Sequence, residues 1–123
     1  MKDGIIVTGA TGSMGAAAVE ALATQGRPVI MACRNRTKAE TIRTGILQRL
    51  PSAELEIQEI DLASLSSVRA FADRFAPGSA TGIFHNAGVI SKGYSVTGDG
   101  FENTFSVNYF GPWLLTNLLL PKM

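Results

Sequence analysis

Apolar and polar positions alternate along this chain in two periods, and the switches between them mark out its elements. Ile5-Ile6-Val7-Thr8 is a short apolar run that reads as a strand. Ser13 to Gln25 is alanine-rich and helical, and Gly26 ends it. Val29-Ile30-Met31-Ala32-Cys33 is a second apolar strand. From Lys38 to Leu50, the apolar residues Ile42, Ile46, Leu47 and Leu50 share one helical face, and Pro51 stops the run. Leu55, Ile57 and Ile60 mark a third strand over Glu54 to Ile60. Leu65, Val68, Phe71, Ala72 and Phe75 form the stripe of the next helix, closed by Pro77-Gly78. Gly82-Ile83-Phe84-His85 reads as a fourth strand, Val89 to Gly98 as a loop, and Phe101 to about Leu120 as one long apolar helix. This βαβαβαβα order predicts an α/β fold of one domain over residues 1–123. Right-handed crossovers then give a parallel sheet of strand order 3-2-1-4 with helices on both faces.

The junction between the first strand and the first helix carries glycines at 9, 12 and 15, with Ser13 and Met14 between the last two. Such glycines let the backbone turn sharply and approach a ligand closely, and the helix behind them aims its N-terminal N–H groups and dipole at the turn. An anionic dinucleotide suits this geometry, and the fold is then of the Rossmann type. The spacing is G-x-x-G-x-x-G, and the alternative is a tight strand-to-helix turn that binds nothing.

Composition narrows the classes. With 11 basic and 10 acidic residues and a net charge of +1, no basic excess points to nucleic acid. A hydrophobic fraction of 46% is ordinary for a globular α/β domain and too high for disorder. The single cysteine, Cys33, cannot form an internal disulfide and fits a reducing compartment. The N-terminus reaches strand and turn too soon to hold a signal peptide, and no apolar run approaches the roughly 18 residues of a spanning helix. A cytoplasmic setting is expected, with no metal site.

Several residues carry candidate chemistry. Arg34 follows the second strand, where the adenosine ribose of a dinucleotide lies. An acid there accepts from the ribose 2′-OH and repels a 2′-phosphate; an arginine does the reverse. Arg36 is placed to add charge, and no acid occupies positions 32 to 37. The alternative is a solvated surface arginine. Asp61 is placed to accept from an adenine amino group while Leu62 packs on the ring; equally, Asp61 can cap the next helix, unless Ser64 does so. His85-Asn86-Ala87-Gly88 leaves the fourth strand with small residues that let backbone pass close to a ribose, and Asn86 can tie adjacent strand ends together. His85, the only histidine, is a structural residue or a base, and the sequence supplies no partner for the second role. In the last helix, Pro112 has no N–H to give to the Asn108 carbonyl, so a kink is expected there, with Asn108 able to anchor a water. Asp99 and Glu102 fit a D-x-x-E variant of a capping box for that helix, and Trp113 reads as core or subunit interface.

Five motifs occur in order: Thr8-Gly9-Ala10-Thr11-Gly12-Ser13-Met14-Gly15, Ala32-Cys33-Arg34-Asn35, Asp61-Leu62, His85-Asn86-Ala87-Gly88 and Val107-Asn108-Tyr109-Phe110-Gly111. With them, the chain resembles the cofactor-binding N-terminal half of the short-chain dehydrogenase/reductase family over essentially its whole length. Asp99-Gly100-Phe101-Glu102 and Leu114 through Pro121 look most like the retinol-dehydrogenase-like and protochlorophyllide-reductase-like branches. The resemblance implies that Gly9, Gly12, Ser13, Met14 and Gly15 bind the pyrophosphate and that Arg34 favours NADP over NAD. It also implies that Asp61 and Leu62 hold adenine, that Asn86, Ala87 and Gly88 border the ribose, and that Asn108 is the active-site asparagine. Its backbone carbonyl would help to hold a water in a proton relay.

The implied activity is hydride transfer between NADPH and a small carbonyl or alcohol substrate, in a parent protein that is a homo-oligomer. Ser13 and His85 stand where the family's common pattern has glycine and asparagine, and in this they resemble its extended, sugar-nucleotide-modifying subgroup. That leaves an epimerase or reductase of that subgroup, and a non-catalytic NADP-binding sensor or interaction module, as alternatives. The family's serine and Tyr-x-x-x-Lys are expected beyond the asparagine helix. Tyr94 and Tyr109 have Gly98 and Trp113 four positions on, so the 123 residues alone are expected to bind cofactor without turnover. The fourth strand is then expected to be an open edge, and one face of the last helix an exposed apolar surface.

Overall fold

A computed structural model describes residues 1–123. Four parallel strands form the sheet: β1 (Gly4–Thr8), β2 (Val29–Cys33), β3 (Leu55–Glu59) and β4 (Ala80–Phe84), in the order β3-β2-β1-β4. Helix α1 (Ser13–Thr24) joins β1 to β2, α2 (Arg36–Arg49) joins β2 to β3, and α3 (Leu65–Asp73) joins β3 to β4. The predicted fold class and strand order hold. β4 is an open edge as expected, and β3 is the other, each paired on one side only.

Side chains of successive strand residues point to opposite faces, and the alternation builds two cores. Val7, Val29, Met31, Cys33, Leu55 and Ile57 pack under Val19 and Ala23 of α1 and Ala39 and Ile46 of α2. Ile6, Ile30 and Ala32 pack on the other face under Val68, Phe71 and Ala72 of α3, with Leu115 and Leu119 from the last helical run. Burial on both faces explains why β1 and β2 read as continuous apolar runs, whereas β3 alternates.

Several boundaries differ from the sequence reading, each for a local reason. α2 begins at Arg36, two residues before Lys38, because Asn35 caps it: the Asn35 side chain accepts from the Lys38 N–H at 3.0 Å. β3 is shorter by one residue at each end. β4 runs from Ala80 to Phe84, so His85 lies just outside it. The backbone turns there to present the Asn86 and Ala87 N–H groups to β1.

The largest correction concerns the last helix. It is not one α-helix from Phe101. A single turn, α4 (Asn103–Phe105), leads into a π-helical turn over Ser106–Phe110, then α5 (Gly111–Leu119) and a 3₁₀ turn over Leu120–Lys122. In the wide turn the Gly111 N–H donates to the Ser106 carbonyl five residues back. The irregularity expected at Pro112 is thus a π-turn immediately before it. The capping box is corrected too. Glu102 alone caps α4, accepting from the Thr104 and Phe105 N–H groups at 3.1 and 3.0 Å. Asp99 instead accepts from the Leu65 N–H at 2.9 Å, across 34 residues, and so caps α3 together with Ser64. Trp113 is not core: it is 58% exposed, on a face shared with exposed Phe105, Tyr109 and Leu120. No helix is long and apolar enough to cross a membrane.

Candidate functional site

A cavity of about 950 Å³ runs along the carboxyl ends of all four strands. Its lining includes Gly9, Gly12, Ser13, Met14 and Gly15 after β1, Arg34 after β2, Asp61 and Leu62 after β3, and Asn86, Ala87 and Gly88 after β4. These residues come from four separate segments, and the parallel sheet brings them to one crevice, the place where open α/β sheets bind ligands. Asn108 does not line it directly; its neighbour Val107 and its partner Val89 do.

The glycines divide into two kinds. Gly9 has φ +64°, and a Cβ on it would lie 2.8 Å from the Ala87 Cα. A Cβ on Gly15 would overlap the Gly9 carbonyl oxygen. Both are fixed by the packing of the turn itself. Gly12 and Gly88 are different: a Cβ would meet nothing nearer than 3.5 and 3.7 Å, respectively. Gly12 has an ordinary φ of −76°. Nothing in the protein requires glycine at either position, yet both border the cavity, which a side chain there would narrow.

The start of α1 is bare. Gly12 is its N-cap and offers no side-chain oxygen, and the first turn holds no acid. By contrast, α2, α3 and α4 are capped by Asn35, by Ser64 with Asp99, and by Glu102. Orphan N–H groups and the positive end of the helix dipole therefore face the cavity at Ser13 and Met14.

A buried hydroxyl that the sequence reading passed over locks the floor. Thr8 is 1% exposed. Its Oγ1 accepts from the Asn86 and Ala87 N–H groups, both at 3.1 Å, and donates to the Phe84 carbonyl at 3.5 Å. The Asn86 Nδ2 donates to the carbonyls of Thr8 and Gly9, each at 3.2 Å. Asn86 thus ties the ends of β1 and β4, as its position suggested. A polar residue closing an apolar strand was the available signal for Thr8, since a buried hydroxyl must find partners.

At the other end, Arg34 is exposed and makes no ion pair or hydrogen bond within the chain. Arg36 is already engaged: its guanidinium lies 3.6 Å from Glu40 and donates to the Ile57 carbonyl at 3.5 Å. Unlike Arg34, Arg36 therefore has partners in the chain, an exposed acid one helical turn on and a backbone carbonyl. Cys33 is buried beside them; burial first, then the Glu59 charge, pushes its thiol pKa up. The thiol stays protonated and inert.

Asp61 is not the cap of α3. Ser64 caps α3 by accepting from the Ser67 N–H, and Asp61 Oδ1 accepts from the Ala63 N–H at 2.9 Å in a local turn. Asp61 Oδ2 makes no hydrogen bond within the chain. His85 pairs with Thr116, Nε2 to Oγ1, at 2.8 Å. Thr116 spends its own proton on the Pro112 carbonyl, so the histidine must be the donor, with the proton on Nε2. Partial burial lowers its pKa.

Asn108 uses its whole side chain on one residue: Oδ1 accepts from the Val89 N–H and Nδ2 donates to the Val89 carbonyl, both at 2.8 Å. Its backbone lies in the wide turn, followed four residues later by a proline that cannot donate.

Comparison with known proteins places this geometry. The chain is 38% identical over 120 residues to the short-chain dehydrogenase TIC 32 B, chloroplastic, of Brassica napus, an alignment covering 96% of this chain and 38% of that one. It is 40% identical over 128 residues to retinol dehydrogenase 14 of Mus musculus, covering 94% and 38%. The chain spans about two-fifths of the length of these curated relatives. A crystal structure of a protein from Mycobacterium paratuberculosis superposes with a TM-score of 0.87 at 38% identity, covering 98% of this chain and 42% of that one. A metagenomic short-chain oxidoreductase solved in complex with NADP gives 0.83 at 25% identity, covering 98% and 56%. The family model described as short chain dehydrogenase matches residues 3–123, and the chain belongs to that family of oxidoreductases.

Proposed function

We propose that this chain is the NADP-binding half of an oxidoreductase that moves hydride between NADPH and a carbonyl or alcohol carbon. One observation carries the reading: α1, unlike α2 and α3, which also lead away from strand ends, has no side-chain cap, and its bare N-terminus borders the cavity. Orphan N–H groups at a helix start bind anions well. Gly9 and Gly15 shape the turn, Gly12 leaves the clearance, and Ser13 and Met14 offer N–H groups to the pyrophosphate. Asn86, Ala87 and Gly88 border the adenosine ribose. Asp61 presents its unbonded Oδ2 toward the adenine amino group, and Leu62 supports the ring.

The preference for NADP rests on Arg34. It is a cation with no partner in the chain, at the position where a ribose 2′-phosphate lies. A relative in the same fold was solved with NADP, which supports the reading. When bound, the cofactor supplies the carbon that gives or takes hydride. Asn108, held on Val89, has its carbonyl beside a residue that cannot donate to it, which suits it to hold a water on the proton path. Residues 1–123 bind cofactor but do not turn over, because no tyrosine has a lysine four positions on. We propose a homo-oligomeric parent in a reducing, cytoplasmic compartment, in keeping with the unpaired Cys33.

Calorimetric titration of the chain with NADPH tests the proposal. Saturable one-to-one binding that Gly12→Val removes, with the fold intact, is the expected result. No binding of NADPH or NADH by the folded chain would overturn it.

A further inference from the structure

We infer that Gly111 is a positioning residue for Asn108, acting through the π-turn and its seat on the Leu62 carbonyl; the functional weight of this rests on the reading of Asn108 given above. Two small residues of the last helical run touch that one oxygen. Ser106, fully buried, donates its hydroxyl toward it at 3.5 Å. Gly111 approaches so closely that a Cβ there would lie 2.6 Å from the same oxygen and 3.2 Å from the Leu62 Cβ. Ser106 and Gly111 are five residues apart. At 100° per residue they would sit about 140° apart around an α-helix, and only one could face Leu62. The five-residue hydrogen bond from the Gly111 N–H to the Ser106 carbonyl brings both into one turn, and both then reach the oxygen. The wide turn and its small residues therefore require each other.

Asn108 lies between them in the turn, and its side chain is held by Val89 on the loop after β4. Its placement is thus set on two sides, by Val89 through hydrogen bonds and by Leu62 through the absence of a Cβ at 111. The Leu62 side does not yield easily. Leu62 is 5% exposed and part of the core, and the contact is with backbone rather than with the end of a flexible side chain. A methyl at 111 must therefore move the turn, and Asn108 moves with it.

The test is amide hydrogen exchange on the intact chain. In Gly111→Ala, the Val89 N–H, which donates to Asn108, should lose about tenfold or more of its protection, while the β1 and β2 amides of Ile6 and Ile30 keep theirs. A merely structural role for Gly111 would lower all amides together, and that uniform loss, or no loss at Val89, overturns the inference. If Gly111→Ala does not fold, native-state exchange of the wild type in mild denaturant decides instead. The Val89 and Gly111 N–H groups should then open in one step with one denaturant dependence, and independent opening refutes it. Because no cofactor is present in either arm, the outcome is separate from NADPH titration of the same sample, on which the cofactor assignment stands or falls.

Discussion

The Asn108 carboxamide and the Val89 peptide group form a closed pair, each donating to the other at 2.8 Å. A side chain in a helix here completes the backbone pairing of a loop, in the manner of a strand partner. Asn108→Ala leaves one donor and one acceptor of Val89 without partners. Both are within reach of solvent, so the expected loss is about 1–2 kcal/mol in urea denaturation, with faster exchange at the Val89 N–H. Asn108→Asp should differ. It keeps the acceptor for the Val89 N–H but sets a carboxylate against the Val89 carbonyl, and at neutral pH it should be no more stable than the alanine variant.

The glycine turn separates into positions where the packing requires glycine and a position where it does not. Gly15→Ala places a methyl into the Gly9 carbonyl and should destabilise the chain by about 3 kcal/mol or more, or prevent folding. Gly12→Ala has 3.5 Å of clearance at an ordinary backbone angle, so its midpoint in urea should correspond to a change within about 1 kcal/mol. Its NADPH affinity should nonetheless fall. Equal stability losses at the two positions would contradict this division.

Asp99 reaches back to cap α3 through the Leu65 N–H. Asp99→Ala should cost about 1 kcal/mol, the ordinary value of an N-cap, and should loosen the first turn of α3 by hydrogen exchange. Asp99→Asn, which keeps an oxygen acceptor, should recover most of it. A capping box for the helix that follows Asp99 would instead have put the exchange effect at Asn103 to Phe105.

Much of this was legible in the chain, and the failures share a cause. The alternation of Ile6 and Ile30 against Val7 and Met31 gave strands buried on both faces, and glycines at 9, 12 and 15 gave the strand-to-helix turn. Those signals are local. The partner of Asp99 lies 34 residues away, and those of Thr8 lie 76 to 79 residues away. Spacing along the sequence favours the nearest candidate, which for Asp99 was the wrong helix. The π-turn was half legible: Pro112 announced a missing donor, but only the Leu62 carbonyl, met in three dimensions, shows why the turn widens rather than bends. Arg36 read as a free charge because Glu40 pairs with it only once α2 starts early enough to bring both onto one helical face.

Glu102 gives a pH signature. Its carboxylate accepts from the Phe105 and Thr104 N–H groups, which lowers its pKa below the ordinary 4.5. The folded form thus binds the proton less readily than the unfolded one. The stability it contributes is complete above pH 4.5 and disappears as the pH falls through the depressed value. Wild type should exceed Glu102→Gln in thermal midpoint at neutral pH, and the difference should shrink on acidification below 4.5. A gap that stays constant to low pH would show that the charge at Glu102 does not act as the cap.

The most direct measurement is the affinity of residues 1–123 for NADPH and for NADH, in wild type and in Arg34→Asp, by calorimetry at one fixed salt concentration. Arg34 has no partner in the chain, so replacing it should leave the fold unchanged and act only on the ligand. The wild type should prefer NADPH by about tenfold or more, the scale of a charge-assisted contact to a phosphate. Arg34→Asp should lose or reverse that preference, chiefly by weakening NADPH. An unchanged preference in the folded variant, or wild-type binding that does not distinguish the two nucleotides, would contradict the account.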